Sequence, residues 1–138
     1  MKKPSLVAFM LPRLSLNGSL EMNALAQHTL IDFYGCDAEV LASADALRPL
    51  VMDAVLQAGG TIVTDVFHGF SPHGVSGVVV IAESHVAIHT WPEHRFAAVD
   101  VFSCSPRLDP LAIETSLALA MRSESTTRRV EARGPVTT

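Results

Sequence analysis

Side chains that can do chemistry are concentrated between His68 and Cys104. These 37 residues hold five of the six histidines in the 138-residue chain. The same window also contains Glu83, Ser84, Glu93 and Asp100. Ionisable and nucleophilic side chains are unusual within segments that are otherwise rich in valine and isoleucine. We therefore treat this window as the candidate functional region.

A metal site is the first chemistry to test. His85 and His89 have the i, i+4 spacing that two zinc ligands show on a helix. Their Val- and Ile-rich surroundings favour a β-strand, in which residues four apart lie about 13 Å from each other. Zinc ligands each lie within about 2 Å of the ion. Cys36 and Cys104 form no CxxC pair, so they indicate neither a zinc ribbon nor a disulfide framework. We expect no metal site, and we expect Cys36 to be a buried structural residue.

A serine hydrolase is the second possibility, because Ser84 and His85 are neighbours. The surrounding residues, IAESHVA, lack the glycines of a G-x-S-x-G nucleophile elbow. Adjacent residues of a strand also point to opposite faces of the sheet, so His85 is poorly placed to be the base for Ser84. Both observations argue against this class of enzyme.

The elements that would position these side chains are predicted from periodicity and turn residues. Alternating β-branched and polar residues predict strands over 29–34, 61–70, 75–82, 86–90 and 96–103. Apolar residues at 3-4 spacing predict one helix that Ser43 or Asp45 caps and Gly59-Gly60 ends. Asp109 and Pro110 open a second helix that ends near Arg122. We expect an α+β fold, a two-layer sandwich of a largely antiparallel sheet with helices on one face. The polar tail from Ser123 is expected to fray after Val130.

Composition limits the class of protein. The length predicts one domain, and 49% hydrophobic against 17% charged residues are enough to build a core. The apolar runs of the chain, residues 78–82 among them, are far below the roughly 18 residues that span a bilayer. A net charge of −4 with scattered basic residues provides no surface for nucleic acid. We expect no membrane or nucleic-acid partner.

The N-terminal residues 1–27 are predicted to be a mobile extension of a single domain that spans 28–138. Met22 is a candidate for the natural start. The apolar stretch near the start is interrupted by Pro12 and Arg13, so it is too short for a secretory signal. We therefore expect a cytoplasmic location.

One long segment resembles a known family. Residues 76–93, SGVVVIAESHVAIHTWPE, and residues 97–104, AAVDVFSC, are similar to the bacterial and archaeal S-adenosylmethionine decarboxylase proenzymes. The similarity extends upstream through DFYGCDAEVL and GGTIVTDVFHGFSPHGVSG and covers about residues 28–122. The resemblance implies a self-processing, pyruvoyl-dependent lyase that decarboxylates S-adenosylmethionine and supplies the aminopropyl donor for spermidine synthesis.

The resemblance also implies roles for single residues. Self-cleavage between Glu83 and Ser84 would begin when the Ser84 hydroxyl attacks the preceding carbonyl, with His89 as processing acid/base and Ser76 in support. Elimination from the resulting ester would turn Ser84 into the pyruvoyl cofactor, which forms a Schiff base with the substrate. Cys104 would donate the proton that replaces carbon dioxide. An amide is a poor site for such attack, so we expect the backbone at Glu83–Ser84 to be strained or its carbonyl polarised.

Substrate contacts are implied for three residues. Glu93 would bind ribose hydroxyls, and Phe70 and Val86 would line the adenine, although both apolar residues could instead belong to the core. A homodimer of cleaved protomers is expected, formed through the sheets, whose second face needs covering.

Two other functions stay open. Relatives with the same fold and pyruvoyl chemistry decarboxylate arginine or ornithine, and Gly69 and His73 alter the loop beside the adenine wall. The chain could also be a non-processing regulatory or binding paralogue. Ser84, His89, Ser76 and Cys104 are all present, which argues against the paralogue.

Overall fold

The structure, a computed structural model, describes residues 24–135. Most of the predicted extension and the candidate start at Met22 therefore lie outside the described residues. The strands are β1 (Ala26–Tyr34), β2 (Ile62–Gly69), β3 (Val75–Ile81), β4 (Ser84–Trp91), β5 (Phe96–Ser103) and β6 (Ser125–Arg133). The helices are α1 (Ala38–Leu41), α2 (Ala44–Gln57) and α3 (Pro110–Ala120), with a 3-10 turn at Pro92–His94.

The six strands form one sheet in the order β2-β3-β4-β5-β1-β6. All five neighbouring pairs are antiparallel. The first strand of the chain thus lies between β5 and β6, so the sheet joins distant parts of the sequence. The predicted α+β fold with an antiparallel sheet is confirmed.

The core lies between the helices and one face of the sheet. In β3 and β5 the odd-numbered apolar residues are buried, as the two-residue period of a strand requires. They pack with the buried side of α2 and with Ile113 and Leu117 of α3. The two-residue period of β5 therefore marks its buried face, whereas the continuous apolar run 78–81 places valine side chains on both faces of β3.

The predicted helix ends are also confirmed. Ser43, rather than Asp45, caps α2, because its Oγ accepts a hydrogen bond from the backbone N–H of Ala46 at 3.0 Å. Asp109 caps α3 through Leu111 N at 3.0 Å, and Pro110 occupies the first turn. Gly59 follows α2 with φ +98°, where an added Cβ would lie 2.4 Å from the carbonyl oxygen of Arg107.

The predicted fraying of the tail is wrong. Residues 125–133 form the edge strand β6, which pairs with β1 along its whole length. Arg128 and Thr126 also donate hydrogen bonds to the Glu114 carboxylate of α3, each at 2.7 Å. Burial opposes ionisation of Glu114, but these hydrogen bonds outweigh it and hold its pKa below the ordinary value. Backbone pairing and these polar anchors order a segment that has little apolar periodicity.

The second face of the sheet carries no helix among residues 24–135. Several large apolar side chains are exposed on it: Tyr34, Val66, Val78, Val80 and Trp91. An apolar face of this kind is unusual for an isolated antiparallel sheet, whose open side is normally polar. We call it the open face. Within the same residues, no helix is long and apolar enough to cross a membrane.

Candidate active site

The predicted cleavage point lies in a tight hairpin between β3 and β4. Ile81 pairs with Ser84, so Ala82 and Glu83 alone form the loop. Glu83 has φ 62°, in the left-handed region that a non-glycine residue occupies at a cost of about 1–3 kcal/mol. The sequence predicts a strand that starts at Val86, but β4 starts at Ser84, so the hairpin is tighter than expected. The expected backbone strain is present at the residue that precedes Ser84.

The Ser84 hydroxyl is held by a second serine. Ser84 pairs with Ser103 across β4 and β5, and its Oγ donates a hydrogen bond to Ser103 Oγ at 3.4 Å. Ser103 Oγ donates in turn to the carbonyl oxygen of Ser105 at 3.0 Å and accepts from the backbone N–H of Ser105 at 3.1 Å. Ser103 is not among the site residues predicted from the sequence. The register of the β4–β5 hairpin could have indicated it, because that register places the end of β5 beside the start of β4.

Cys104 follows Ser103 directly and is partly buried. Burial raises the pKa of the Cys104 thiol, and the negative charge of Glu83 raises it further. The thiol is therefore protonated at neutral pH, which is the form that a proton donor needs. Cys36 is fully buried, as predicted.

Ser76 and His89 form a separate pair. They face each other across β3 and β4, and Ser76 Oγ lies 3.0 Å from His89 Nδ1. Both belong to the open face, whereas the register places the Ser84 side chain on the helix-covered face. His89 lies five positions along β4 from Ser84, roughly 16 Å at about 3.3 Å per residue. The structure does not bring His89 to the Ser84 of its own chain.

The expected substrate-binding residues have different environments. Phe70 is 52% exposed beyond the end of β2, with its ring edge-on to His68. Glu93 lies in the 3-10 turn, where its Oε1 is 3.1 Å from His73 Nε2. Val86 is only 1% exposed and belongs to the hydrophobic core. Phe70 and Glu93 are therefore accessible, whereas Val86 packs against the helices.

The candidate residues thus form two groups at opposite ends of β4. The cleavage group contains Glu83, Ser84, Ser103 and Cys104. The histidine group contains Ser76 and His89, with Phe70 and Glu93 at the same end of the sheet. Within residues 24–135, no three His, Cys, Asp or Glu side chains come together as a metal site would require.

Sequence comparisons identify relatives over the same region. The sequence profile of the S-adenosylmethionine decarboxylase family matches residues 27–134. An S-adenosylmethionine decarboxylase proenzyme of Clostridium kluyveri is 51% identical over 89 residues, which are 64% of this chain and 71% of the relative. A protein of the same name from Thermotoga petrophila is 45% identical over 103 residues, 75% of this chain and 79% of the relative.

Structural comparison agrees with these relatives. The crystal structure of adenosylmethionine decarboxylase from Aquifex aeolicus superposes with a TM-score of 0.74 at 35% identity, covering 83% of this chain and 95% of that one. A Trypanosoma brucei AdoMetDC monomer superposes with a TM-score of 0.57 at 16% identity over 75% of this chain and 45% of that one, a likeness of fold alone. Profile, identity and coverage together establish that the chain belongs to the S-adenosylmethionine decarboxylase family.

Proposed function

We propose that this chain decarboxylates S-adenosylmethionine with a pyruvoyl group that it makes from its own Ser84. The observation that carries the proposal is the β3–β4 hairpin, which combines a strained Glu83 with a held Ser84 hydroxyl. Proenzymes of that name among the relatives support it. The product would serve as aminopropyl donor in spermidine synthesis. A cytoplasmic location stays a prediction.

Self-cleavage would use the chain's own atoms. The Ser84 Oγ bonds to the carbonyl carbon of Glu83, the amide C–N bond breaks, and the hydroxyl proton passes to the freed Ser84 nitrogen. This converts the amide into an ester that still joins the two segments. Loss of the Ser84 α-proton then expels the Glu83 carboxylate together with the former Ser84 oxygen, which cuts the chain. The dehydroalanine left at residue 84 tautomerises to an imine, and water replaces its nitrogen as ammonia leaves. Cleavage releases Glu83 from its left-handed conformation, so the strain of about 1–3 kcal/mol favours the reaction.

The cleavage group fits a pyruvoyl centre. The hairpin places residue 84 at the end of a strand. Its partner on the neighbouring strand is Ser103, and Cys104 is the next residue after Ser103. The ketone of a pyruvoyl group binds the substrate amine and takes up the electron pair left by departing carbon dioxide. Cys104 holds the proton that replaces the carboxylate. Its raised pKa keeps that proton in place at neutral pH.

The two groups of residues complete one site only across a dimer. We propose that a second copy covers the open face, which is apolar at Val66, Val78 and Trp91. A two-fold axis perpendicular to β4 would place the histidine end of one copy over the Ser84 end of the other. In that arrangement Ser76 and His89 would lie at the partner's Glu83–Ser84 peptide bond, on the sheet face opposite the Ser84 hydroxyl, and Phe70 and Glu93 would bind substrate at the same end.

A direct comparison of substrates tests the activity. The wild-type protein is expected to release carbon dioxide from S-adenosylmethionine. Release from arginine or ornithine should be at least about 100-fold slower, because these substrates would leave the polar groups that bind ribose without hydrogen-bond partners. The relatives described above favour neither the arginine and ornithine alternative nor the paralogue. Equal rates with arginine or ornithine would contradict the proposed substrate, and a chain that never cleaves would indicate the paralogue.

The role of Cys104 is tested by separating cleavage from turnover. The Cys104→Ala variant is expected to cleave normally but to release carbon dioxide about 100-fold more slowly, since it lacks a positioned proton donor. In the wild type, kcat should fall on the alkaline side only above the ordinary thiol pKa of about 8.5, because the pKa of Cys104 is raised. Cys36→Ala is the matched control, with lower stability but unchanged kcat. An unchanged kcat in Cys104→Ala would exclude the role.

A further inference from the structure

We propose that Ser103 is a positioning residue for self-cleavage, a role that rests on the proposed function. Its hydroxyl holds the Ser84 O–H and thereby fixes the direction of the nucleophile. Ser103 does not act as an acid, a base or a nucleophile in this proposal. Because it works through Ser84, its effect is expected in the rate of cleavage.

Three hydrogen bonds occupy the Ser103 hydroxyl fully. A serine hydroxyl has one proton to donate and two lone pairs that accept. The proton goes to Ser105 O, and one lone pair accepts from Ser105 N. The second lone pair is left for Ser84, whose Oγ lies 3.4 Å away. The Ser84 proton therefore points at Ser103, and the Ser84 lone pairs point elsewhere.

The Ser103 hydroxyl is also held in place by its surroundings. Ser103 is only 9% exposed, and it pairs with Ser84 in the ladder between β4 and β5. Two of its hydrogen bonds go to backbone atoms of one residue, which resist rotation of the side chain. The neighbour of Ser84 is thus a rigid acceptor. Such preorganisation favours one approach of the nucleophile to the carbonyl.

Ser103 takes no part in the bonds that form and break during cleavage. First, the Ser84 Oγ gains a bond to the Glu83 carbonyl carbon, the C–N bond breaks, and the Oγ proton ends on the Ser84 nitrogen, which gives an ester that still joins the two segments. The chain is cut when Ser84 loses its α-proton and the Oγ leaves with the Glu83 carboxylate. The dehydroalanine that remains tautomerises to an imine, which reacts with water to release ammonia and form the ketone. Ser103 gains and loses no atom. After Ser84 has become a ketone it no longer has a proton to donate, so this contact exists only in the uncleaved chain.

A time course of cleavage tests the proposal. Chains made by cell-free translation are stopped at intervals in denaturant, and the 84–138 fragment is quantified by mass spectrometry. We expect Ser103→Ala to cleave about 10- to 100-fold more slowly, as for a misplaced reacting group. Ser103→Thr keeps the hydroxyl on a residue suited to strands and should restore the rate to within about 3-fold.

The matched control is Ser105→Ala. The Ser105 hydroxyl accepts from the backbone N–H of Arg107, whereas Ser103 is bound by backbone atoms of Ser105, which alanine retains. We expect wild-type cleavage in this control. Thermal unfolding shows whether folding is preserved. It is measured on the Ser103→Ala, Ser103→Thr and Ser105→Ala chains, each with Ser84→Ala added so that the chain stays uncleaved.

The outcomes separate this proposal from the proposed function. A wild-type chain that stays intact would overturn self-cleavage itself. If the wild type cleaves and Ser103→Ala cleaves at the same rate, the positioning role is wrong. It is also wrong if Ser103→Thr is as slow as Ser103→Ala while both remain folded, because the hydroxyl would then be irrelevant.

Discussion

The Ser84→Ala variant is expected to remain one chain near the full mass of 14.8 kDa and to release no carbon dioxide. The wild type is expected to give fragments 1–83 and 84–138, of 83 and 55 residues. Alanine has no oxygen to attack the Glu83 carbonyl, so both the ester and the ketone derived from it are lost. Denaturing mass spectrometry distinguishes one mass from two.

Two further measurements make the Ser84 result specific. Ser125→Ala removes a serine hydroxyl from the edge strand β6 and should cleave like the wild type. Phenylhydrazine should label the amino terminus of the smaller wild-type fragment, because that terminus carries a ketone. Cleavage in Ser84→Ala would place the nucleophile elsewhere. An unlabelled amine at residue 84 would indicate simple hydrolysis and no pyruvoyl group.

A mixed-dimer experiment tests whether His89 serves its partner. The His89→Ala and Ser84→Ala chains should each stay uncleaved when produced alone. When the two are produced together in equal amounts, about half of the His89→Ala chains should cleave, because random pairing gives half of them a partner with an intact histidine. We expect the histidine to act on the partner because His89 and Ser84 of one chain are five positions apart on one strand, which is roughly 16 Å.

The control for the mixed dimer is a partner that lacks both groups. Co-production of His89→Ala with the double variant Ser84→Ala, His89→Ala should give no cleavage. The substitutions change the fragment masses, so each product can be assigned to its chain. If the wild type cleaves but the mixture of His89→Ala and Ser84→Ala chains gives no fragments, a site shared between two copies is contradicted. Extensive cleavage in His89→Ala alone would remove the histidine from processing.

The sheet and both long helices were predictable because their signals are local. Ser43 and Asp109 cap helices by contacts within three residues, and apolar residues at every second position mark the buried face of β5. Strand β6 was not predictable in this way. It has few apolar residues, and it is ordered by pairing with β1, about 100 residues earlier in the chain, and by Glu114. Such long-range pairing leaves little trace in local composition.

The candidate site shows the same division. The resemblance supplied Ser84, His89 and Cys104, and strand alternation already argued that His85 could not serve Ser84. The same alternation places His89 on the face opposite Ser84, which the resemblance obscured. Ser103 was missed because its importance comes from the register of β4 with β5. The identities of the candidate residues could thus be predicted from the sequence. Their division into two groups could be recognised only from the strand order and register of the sheet.

The strand order has a consequence for the cleaved protein. Strands β1, β2 and β3 precede the Glu83–Ser84 bond, and β4, β5 and β6 follow it. In the sheet they are interleaved, because β1 of the larger fragment lies between β5 and β6 of the smaller one. Neither fragment could leave without breaking three strand pairings, so the two fragments of a cut chain would stay together as long as the sheet remains folded. Unfolding it would create two separate molecules, whose reassembly depends on concentration, whereas the proenzyme folds as one. Folding of the intact chain, before any cut at Glu83–Ser84, would avoid that dependence on concentration.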